Sequence, residues 1–581
     1  MISNFISVTG KKWALRDIEE RKVDKLVQDL EISDFLARIA CSRQEKLDSH
    51  LVERWLDPKL KSELPSPMLL KDMSKAVQRI TDAFKYNQKI AILGDYDVDG
   101  ATSSALLYRA FKMFGTEPII YIPDRIKEGY GPNITALDKL KNVGAELIIT
   151  VDCGTTAFDE IDYANKISLD VIVLDHHSPE AKLPNAFAVI NPNRIDDSSG
   201  LGMLAAVGVS FMLAGAIKNH LIKENILGKN NSANLIRVLD LVALGTICDV
   251  VPLIGPNRAL VKQGLRSMSQ MNNLGIKMLF ETSEIDDFPS VYHAGYVLGP
   301  RINAGGRVGQ SNLGAKLLIT DDINEAKNIS VQLNNYNEER KKLELEVFTQ
   351  ARSMVNFEED TEILILSAEK WHPGVIGIVA SRIVEQFNKP AIIIAKCGDL
   401  SKGSARSVPG INIGQLITAA KQSGILVNGG GHPMAGGITI KEEKITDLKL
   451  FLNDKITKNT LQNKDILRWV DLSISVSGLN PDLYKQLQKA EPYGSGNPEP
   501  CFIIQNASIF GSKVVGENHI NCSISDSSKT RINGIAFRSV GTKLGKALLN
   551  KHNFHVIGKF KLSKWGGNER VQIYIEDLIE I

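Results

Sequence analysis

The sequence predicts an α/β protein in four parts: a parallel-sheet domain, a long connecting helix, a smaller α/β domain and a C-terminal β-barrel. Three observations carry that prediction. From about residue 70, short β-rich runs at 89–93, 118–122, 146–151 and 170–174 are separated by stretches long enough for crossover helices, the signature of a parallel, doubly wound sheet. The runs ELIITV and DVIVL show no polar alternation, as strands buried on both faces require. Between 321 and 355 the chain turns charged and lacks Pro and Gly, while Ile323, Ala326, Ile329, Leu333, Tyr336, Leu343 and Val347 keep helical spacing. From about 466, short strands and turn residues dominate, at 502–504, 520–524, 532–537, 556–562 and 571–575, which a small barrel explains best.

In chain order, residues 1–65 read as a helical extension, with Trp13, Leu26, Leu30, Leu36 and Trp55 at irregular apolar spacing. Pro58, Pro65 and Pro67 then break the pattern, and the extension is expected to cover an edge of the first sheet. The parallel-sheet domain is assigned to 66–320, the helix to 321–355, the smaller α/β domain to 356–458 and the barrel to 459–581. The composition, 43% hydrophobic and 23% charged, excludes pervasive disorder. No run reaches about 18 apolar residues, so no membrane span is expected. The N-terminus MISNFISVTGKKWALRD meets its lysines too early for a signal peptide. Six cysteines form no CxxC pair, which argues against a zinc finger or a disulfide framework, so a cytoplasmic location is expected. Lys and Arg number 69 against 67 Asp and Glu. A charge so near zero leaves a nucleic-acid partner open, because patches matter more than totals.

Chemistry gathers where the first sheet's strands end. Gly94-Asp95-Tyr96-Asp97-Val98-Asp99-Gly100 follows KIAIL, Asp152 closes ELIITV, Asp175-His176-His177 closes DVIVL, and Asp249 follows the apolar run LDLVALGTIC. In open α/β sheets ligands bind beyond the carboxyl ends of the strands, so these segments are placed to converge. Packing so many carboxylates together is unfavourable unless cations neutralise them, and oxygen plus imidazole ligands suit Mn²⁺, with Mg²⁺ the alternative. A pair of such ions makes a phosphoryl-transfer site. DxDxDG alone also fits part of a calcium loop, but no Glu stands at the twelfth position. A lone strand-end Asp is more often a cap than a ligand. It is the coincidence of three strand ends that favours metal.

These residues, GDYDVDG, VDCG, Asp175-His176-His177 and CDVVPL, resemble the DHH phosphoesterase superfamily. IPDRIKEGYG, LGPRINAGGR, WHPGVIGIVASR, GSARS and GGGHPMAGG are similar, within it, to the bacterial single-strand-specific 5′→3′ DNA exonucleases. The resemblance runs from about residue 70 to the C-terminus. Family members often read Ala-Ala-Gly-Arg where this chain has Ala304-Gly305-Gly306-Arg307, which leaves the arginine in place. It implies that Asp97, Asp99, Asp152, His176 and Asp249 ligate two divalent ions, with Asp95 beside them. Asp175 would orient its histidine neighbour, and His177 would meet the scissile phosphate or the attacking water. Direction, release of mononucleotides and a role in repair and recombination are implied by the resemblance alone. So is the partner, single-stranded DNA with a 5′ end. Single-strand-binding protein and a helicase are candidate protein partners, and a monomer is expected.

Arg301 and Arg307 lie among glycines, where backbone and guanidinium can both approach a phosphate. Arg125 is a similar candidate, against the bland alternative of surface ion pairs. The resemblance makes 356–458 the associated substrate-binding domain, with a 5′-phosphate site that includes Arg301, Ser404 and Arg406. His372 is a candidate stacking or phosphate contact. The glycines before His432 suit a backbone nest for phosphate or, more plainly, a tight turn. Residues 510–570 hold eleven basic residues against three acidic ones, with Phe537 and Trp565 between them. Basic strands with aromatic platforms fit a single-strand-binding OB-fold. A small-substrate phosphoesterase has no use for such a groove, and a catalytically dead scaffold should lack ligands that are all present here.

Overall fold

The computed structural model describes residues 6–43, 48–125, 127–228, 233–355, 361–456, 467–550, 553–565 and 568–581, with the backbone alone at 564, 565 and 568. Two compact units form. One gathers Met1–Leu64, Pro252–Lys262 and Asn463–Ile581; the other is Pro65–Val251 with Gln263–Gln462. Among the described residues, no helix is long and apolar enough to cross a membrane.

The larger unit is built on a parallel five-stranded sheet in the order Ile119–Tyr121, Ile90–Gly94, Leu147–Val151, Asp170–Leu174, Ala188–Ile190. The first strand in sequence is second in space. The chain therefore reverses direction of travel between Ile90–Gly94 and Leu147–Val151, and a crevice opens at such a switch point. Every residue of those two strands is buried, which is why their sequences show no polar alternation. Helix Val98–Phe114 is capped by Asp97, which accepts from the Gly100 N–H, and ends at Gly115 in the left-handed region (φ 99°). Helices Ala206–Lys223 and Leu239–Cys248 pack on it.

Helix Ile323–Ser353 is 31 residues long, about 46 Å. Asp322 caps it by accepting from the N–H groups of Asn324 and Glu325. It is less solvated than its charge suggests: Ala326, Ile329, Leu333, Val347 and Ala351 form a buried stripe. The stripe lies on Gly299–Val308 near one end and on Ile376–Phe387 near the other. The second sheet of this unit is mixed, in the order Asn428–His432, Ala435–Lys441, Leu400–Arg406, Ala391–Lys396, Leu364–Glu369, with only the last pair parallel. The glycine run before His432 is therefore a strand, not the nest considered from sequence. Its residues pair with Ile438, Gly437 and Gly436, which commits the backbone to a ladder.

In the smaller unit Phe502–Val515, His519–Ser525, Arg531–Ala536, Asn568–Glu580 and Asn553–Trp565 follow one another in a sheet. The last pairs back on the first, closing a barrel around Phe502, Phe554 and Phe560. The expectation for residues 1–65 needs correcting. They do contain helices, at Glu20–Leu30, Asp34–Arg43 and Ser49–Leu56, but Met1–Leu64 fall in the same compact unit as the barrel, not in that of the first sheet. Strand Lys12–Leu15 pairs in parallel with Leu467–Val470, and Phe35 stacks on Phe502 at 6.0 Å. Asp577, fully buried, accepts from Ser7 Oγ (2.6 Å), Thr9 Oγ1 (2.5 Å) and Trp13 Nε1 (2.9 Å). A second node is Arg258, 2% exposed. Its guanidinium donates to the carbonyls of Trp55, Ala490, Glu491 and Pro492 at 2.7–3.1 Å. Burial pushes it down to about 10.

Candidate metal centre and nucleic-acid contacts

The aspartate loop after Ile90–Gly94 turns sharply into its helix. Gly100 permits this, since a Cβ there would meet the Asp95 carbonyl oxygen at 2.4 Å. Asp152, at the end of Leu147–Val151, sits in the left-handed region (φ 62°), a strained choice for a residue with a side chain. Asp249 is the C-terminal cap of Leu239–Cys248. His176 Nε2 lies 3.3 Å from Asp152 Oδ1, 3.6 Å from Asp249 Oδ2 and 3.8 Å from Asp99 Oδ2. Three overlapping sets each bring their donor atoms within 4.8 Å: Asp152, His176 and His177; Asp99, His176 and Asp249; Asp95, Asp97 and Asp152.

Three carboxylates here have clear protein partners, the first being Asp97, which caps its helix through the Gly100 N–H (3.0 Å). Asp99 accepts the N–H groups of Ala206 (2.7 Å) and Val207 (2.9 Å), so it also anchors the start of a buried helix. Asp175 Oδ1 accepts from the backbone N–H groups of His176 (2.7 Å) and His177 (3.1 Å) and lies 2.7 Å from His177 Nδ1, while Oδ2 accepts from Thr155 N–H. Burial, the largest single influence, would raise Asp175, but the hydrogen bond and charge of His177, with the N–H groups of His177 and Thr155, together outweigh it and hold the carboxyl well below its usual range. Burial likewise opposes charge on His177, yet Asp175 lifts the ring to about 9. His176 goes the other way, down to about 4, through burial and then repulsion from His177. A neutral imidazole is the form a cation needs.

The remaining groups carry the test for metal. Asp95 Oδ1, Asp152 Oδ1, His176 Nε2 and Asp249 Oδ2 are buried and accept or donate no hydrogen bond among the described residues. Burial, and then neighbouring carboxylates, push Asp95, Asp99 and Asp152 well above the ordinary carboxylate range, and Asp249 to about 7. Divalent cations invert that preference by supplying the local positive charge. The donor set, carboxylate oxygen with one imidazole nitrogen, fits Mn²⁺ or Mg²⁺.

Sequence reasoning missed three residues that hold this geometry. Tyr130 donates from its hydroxyl to the Asp152 carbonyl at 2.9 Å. Asn191 donates to the His177 carbonyl (2.8 Å) and Asn193 to that of His176 (2.5 Å), fixing the backbone of both histidines. A signal existed: Asn191 and Asn193 follow the buried strand Ala188–Ile190, the same strand-end position that marked the aspartates.

The arginines fall into two groups. Arg307 donates to the Gly374 carbonyl at 3.2 Å and is lowered to about 10, by burial first and then by Arg125 and Arg340. Arg406 is lowered by burial and then by Arg125, and it donates to Ser404 Oγ. Arg125 lies over the Tyr96 ring at 4.9 Å. These three guanidiniums, from the first domain and the second, thus repel one another beside the aspartate loop. Arg301 is engaged differently, by Asn334 Oδ1 (3.1 Å) and the Val297 carbonyl (2.8 Å). His372 Nδ1 accepts from the Gly374 N–H at 3.0 Å. His432 is exposed and shares a sheet rung with Ala435 and Arg406, two strand spacings or about 10 Å from that arginine. On the barrel, Phe537 is 49% exposed and set edge-on to His519 (5.1 Å) and Tyr574 (4.9 Å). Trp565 ends a barrel strand; its side chain lies outside the described residues.

Three family models match in order: DHH family, N-terminal domain, over residues 89–246; the DHHA1 domain over 360–458; and the RecJ OB domain over 470–577. Fold and site thus define a DHH protein with its associated domain and a barrel. The single-stranded-DNA-specific exonuclease RecJ of Escherichia coli (strain K12) is 32% identical over 580 residues, spanning 97% of this chain and 98% of that protein. The chain belongs to the RecJ family of single-stranded-DNA-specific exonucleases. The crystal structure of RecJ from Thermus thermophilus in complex with Mn²⁺ matches with a TM-score of 0.80 at 26% identity, covering 98% of this chain and 79% of that one. The Mg²⁺ complex of the same protein matches with a TM-score of 0.74 at 25% identity, over 98% and 78%.

Proposed function

We propose that this chain degrades single-stranded DNA from its 5′ end to mononucleotides, using two divalent cations, in repair and recombination in the cytoplasm. The observation that carries the reading is the convergence of unpartnered buried donors on Asp95, Asp152, His176 and Asp249. Asp97 and Asp99 complete the ligand set. Bound there, Mn²⁺ or Mg²⁺ would supply Lewis acidity to the scissile phosphate and ease formation of hydroxide from water.

The protein's own groups do the rest. Asp175 holds His177 by Nδ1, leaving Nε2 to meet the phosphate or the attacking water. Arg125, Arg307 and Arg406, with Ser404, form a cationic pocket for the terminal 5′-phosphate, and Arg301, His372 and His432 border it. Phosphate relieves the mutual repulsion of the guanidiniums, which favours an anion there. Residues 66–320 would carry the chemistry, 356–458 the 5′ end and 459–581 the trailing strand, gripped through basic strands, Phe537 and Trp565. The helix at 321–355 links the first two, and 1–65 braces the third. The chain would act as a monomer, with single-strand-binding protein and a helicase supplying its substrate.

The test digests 5′-labelled and 3′-labelled single strands of DNA and RNA, and duplex DNA, with either ion. Early release of labelled mononucleotide from the 5′ label on single-stranded DNA is expected. Earlier release of the 3′ label would overturn the direction, and equal digestion of duplex or RNA the specificity.

A further inference from the structure

Just before Gly299-Pro300-Arg301 the chain forms a short π-helix, His293–Leu298, a rare geometry that occurs frequently at functional sites. One face is fixed to the metal centre. Ala294 is fully buried, and its carbonyl accepts from the Cys248 thiol at 3.4 Å. At Gly299 a Cβ would meet Cys248 Sγ at 2.5 Å, so only glycine allows this approach. Cys248 immediately precedes Asp249. The opposite face carries Tyr292 and Tyr296, 63% and 74% exposed. Their rings stack on each other with centroids 5.7 Å apart and planes at 23°.

Two large aromatic rings held parallel in solvent gain little from folding, since most of their apolar area stays wet. What they offer is a flat, preordered π surface. A base can stack there without regard to its identity, as binding to single strands demands. The surface lies within about two helical turns of the contact with Cys248, and so a short way along any strand whose scissile phosphate sits at Asp249.

We propose that Tyr292 and Tyr296 form a base-stacking platform for the strand beside the metal centre, adding to affinity for strands longer than the two nucleotides flanking the cleaved bond. The inference rests on the single-strand substrate argued above. The experiment compares the full-length wild type, Y292A/Y296A and Y292F/Y296F with Mn²⁺, on a 5′-phosphorylated long strand and on a 5′-phosphorylated dinucleotide. The alanine pair should raise KM for the long strand roughly tenfold or more. Its kcat should hold, and so should dinucleotide hydrolysis. The phenylalanine pair should restore KM, because the ring and not the hydroxyl stacks. An unchanged long-strand KM in the alanine pair overturns the platform, as does failure of the phenylalanine pair to rescue. An equal loss on the dinucleotide would mean that the helix merely supports Cys248 and Asp249, and overturns it too. If the wild type degrades no single strand, the exonuclease reading itself falls, an outcome distinct from the rest.

Discussion

Buried charged groups in this molecule are of two kinds, which differ in what completes them. Around Arg258 and Asp577 each charged group meets several partners from distant stretches of chain. At the strand ends of the parallel sheet, four buried donor atoms make no hydrogen bond among the described residues, and like charges crowd together. Burial of charge is thus no signal of function by itself. A satisfied charge fastens the fold, whereas an unsatisfied cluster awaits a partner of opposite sign.

Mutation should separate the two most sharply at the metal centre. Asp152→Asn or His176→Ala should lower hydrolysis beyond roughly a hundredfold, since even residues behind metal ligands account for 10- to 100-fold. In metal-free buffer Asp152→Asn should not lower the melting temperature, because it lessens a buried conflict between carboxylates. A clear fall in melting temperature without metal would break the contrast. Arg258→Leu should act in the opposite way. It strands four buried carbonyls and should destabilise the smaller unit by about 3 kcal/mol or more, measured by urea denaturation, with hydrolysis of the dinucleotide retained per folded molecule.

The smallest effect concerns Glu491, beside Arg258. Burial raises its carboxyl to about 7, above the value of about 4.3 in an unfolded chain. A raised carboxyl favours the folded state fully below the unfolded value, and that contribution is lost as pH rises toward 7. Glu491→Gln, which mimics the protonated form, should therefore stabilise the protein at pH 8 by about 2 kcal/mol or less and flatten the stability curve between about pH 4 and 7. An unaltered curve would show that Glu491 is solvated.

Where local spacing encodes structure, the sequence was readable. The aspartate loop, the strand-end Asp152 and the paired histidines stand where short-range patterns put them, and the 31-residue helix appears within a few residues of its expected limits. Contacts between remote segments were not legible. Nothing near Trp13 announces that its strand pairs with Leu467–Val470. Nor does anything near Arg301 show that Asn334 will engage it. The glycine run before His432 misled, because glycine permits both a turn and a tightly paired strand. Asn191 was overlooked although it stands just past a strand end, because an amide that works through a backbone carbonyl is not a ligand-type residue.

The stitching of Lys12–Leu15 to Leu467–Val470, and of Ser7, Thr9 and Trp13 to Asp577, sets an order of events at the ribosome. At about 5–20 residues per second, roughly 20 to 90 seconds of translation separate the two strands. Through that interval the earlier strand has nothing to join. The lobe that carries the candidate metal ligands has all its residues outside the tunnel well before the barrel is finished. A nascent chain would then complete its candidate metal centre before its barrel, and codons read late would seat a segment made early.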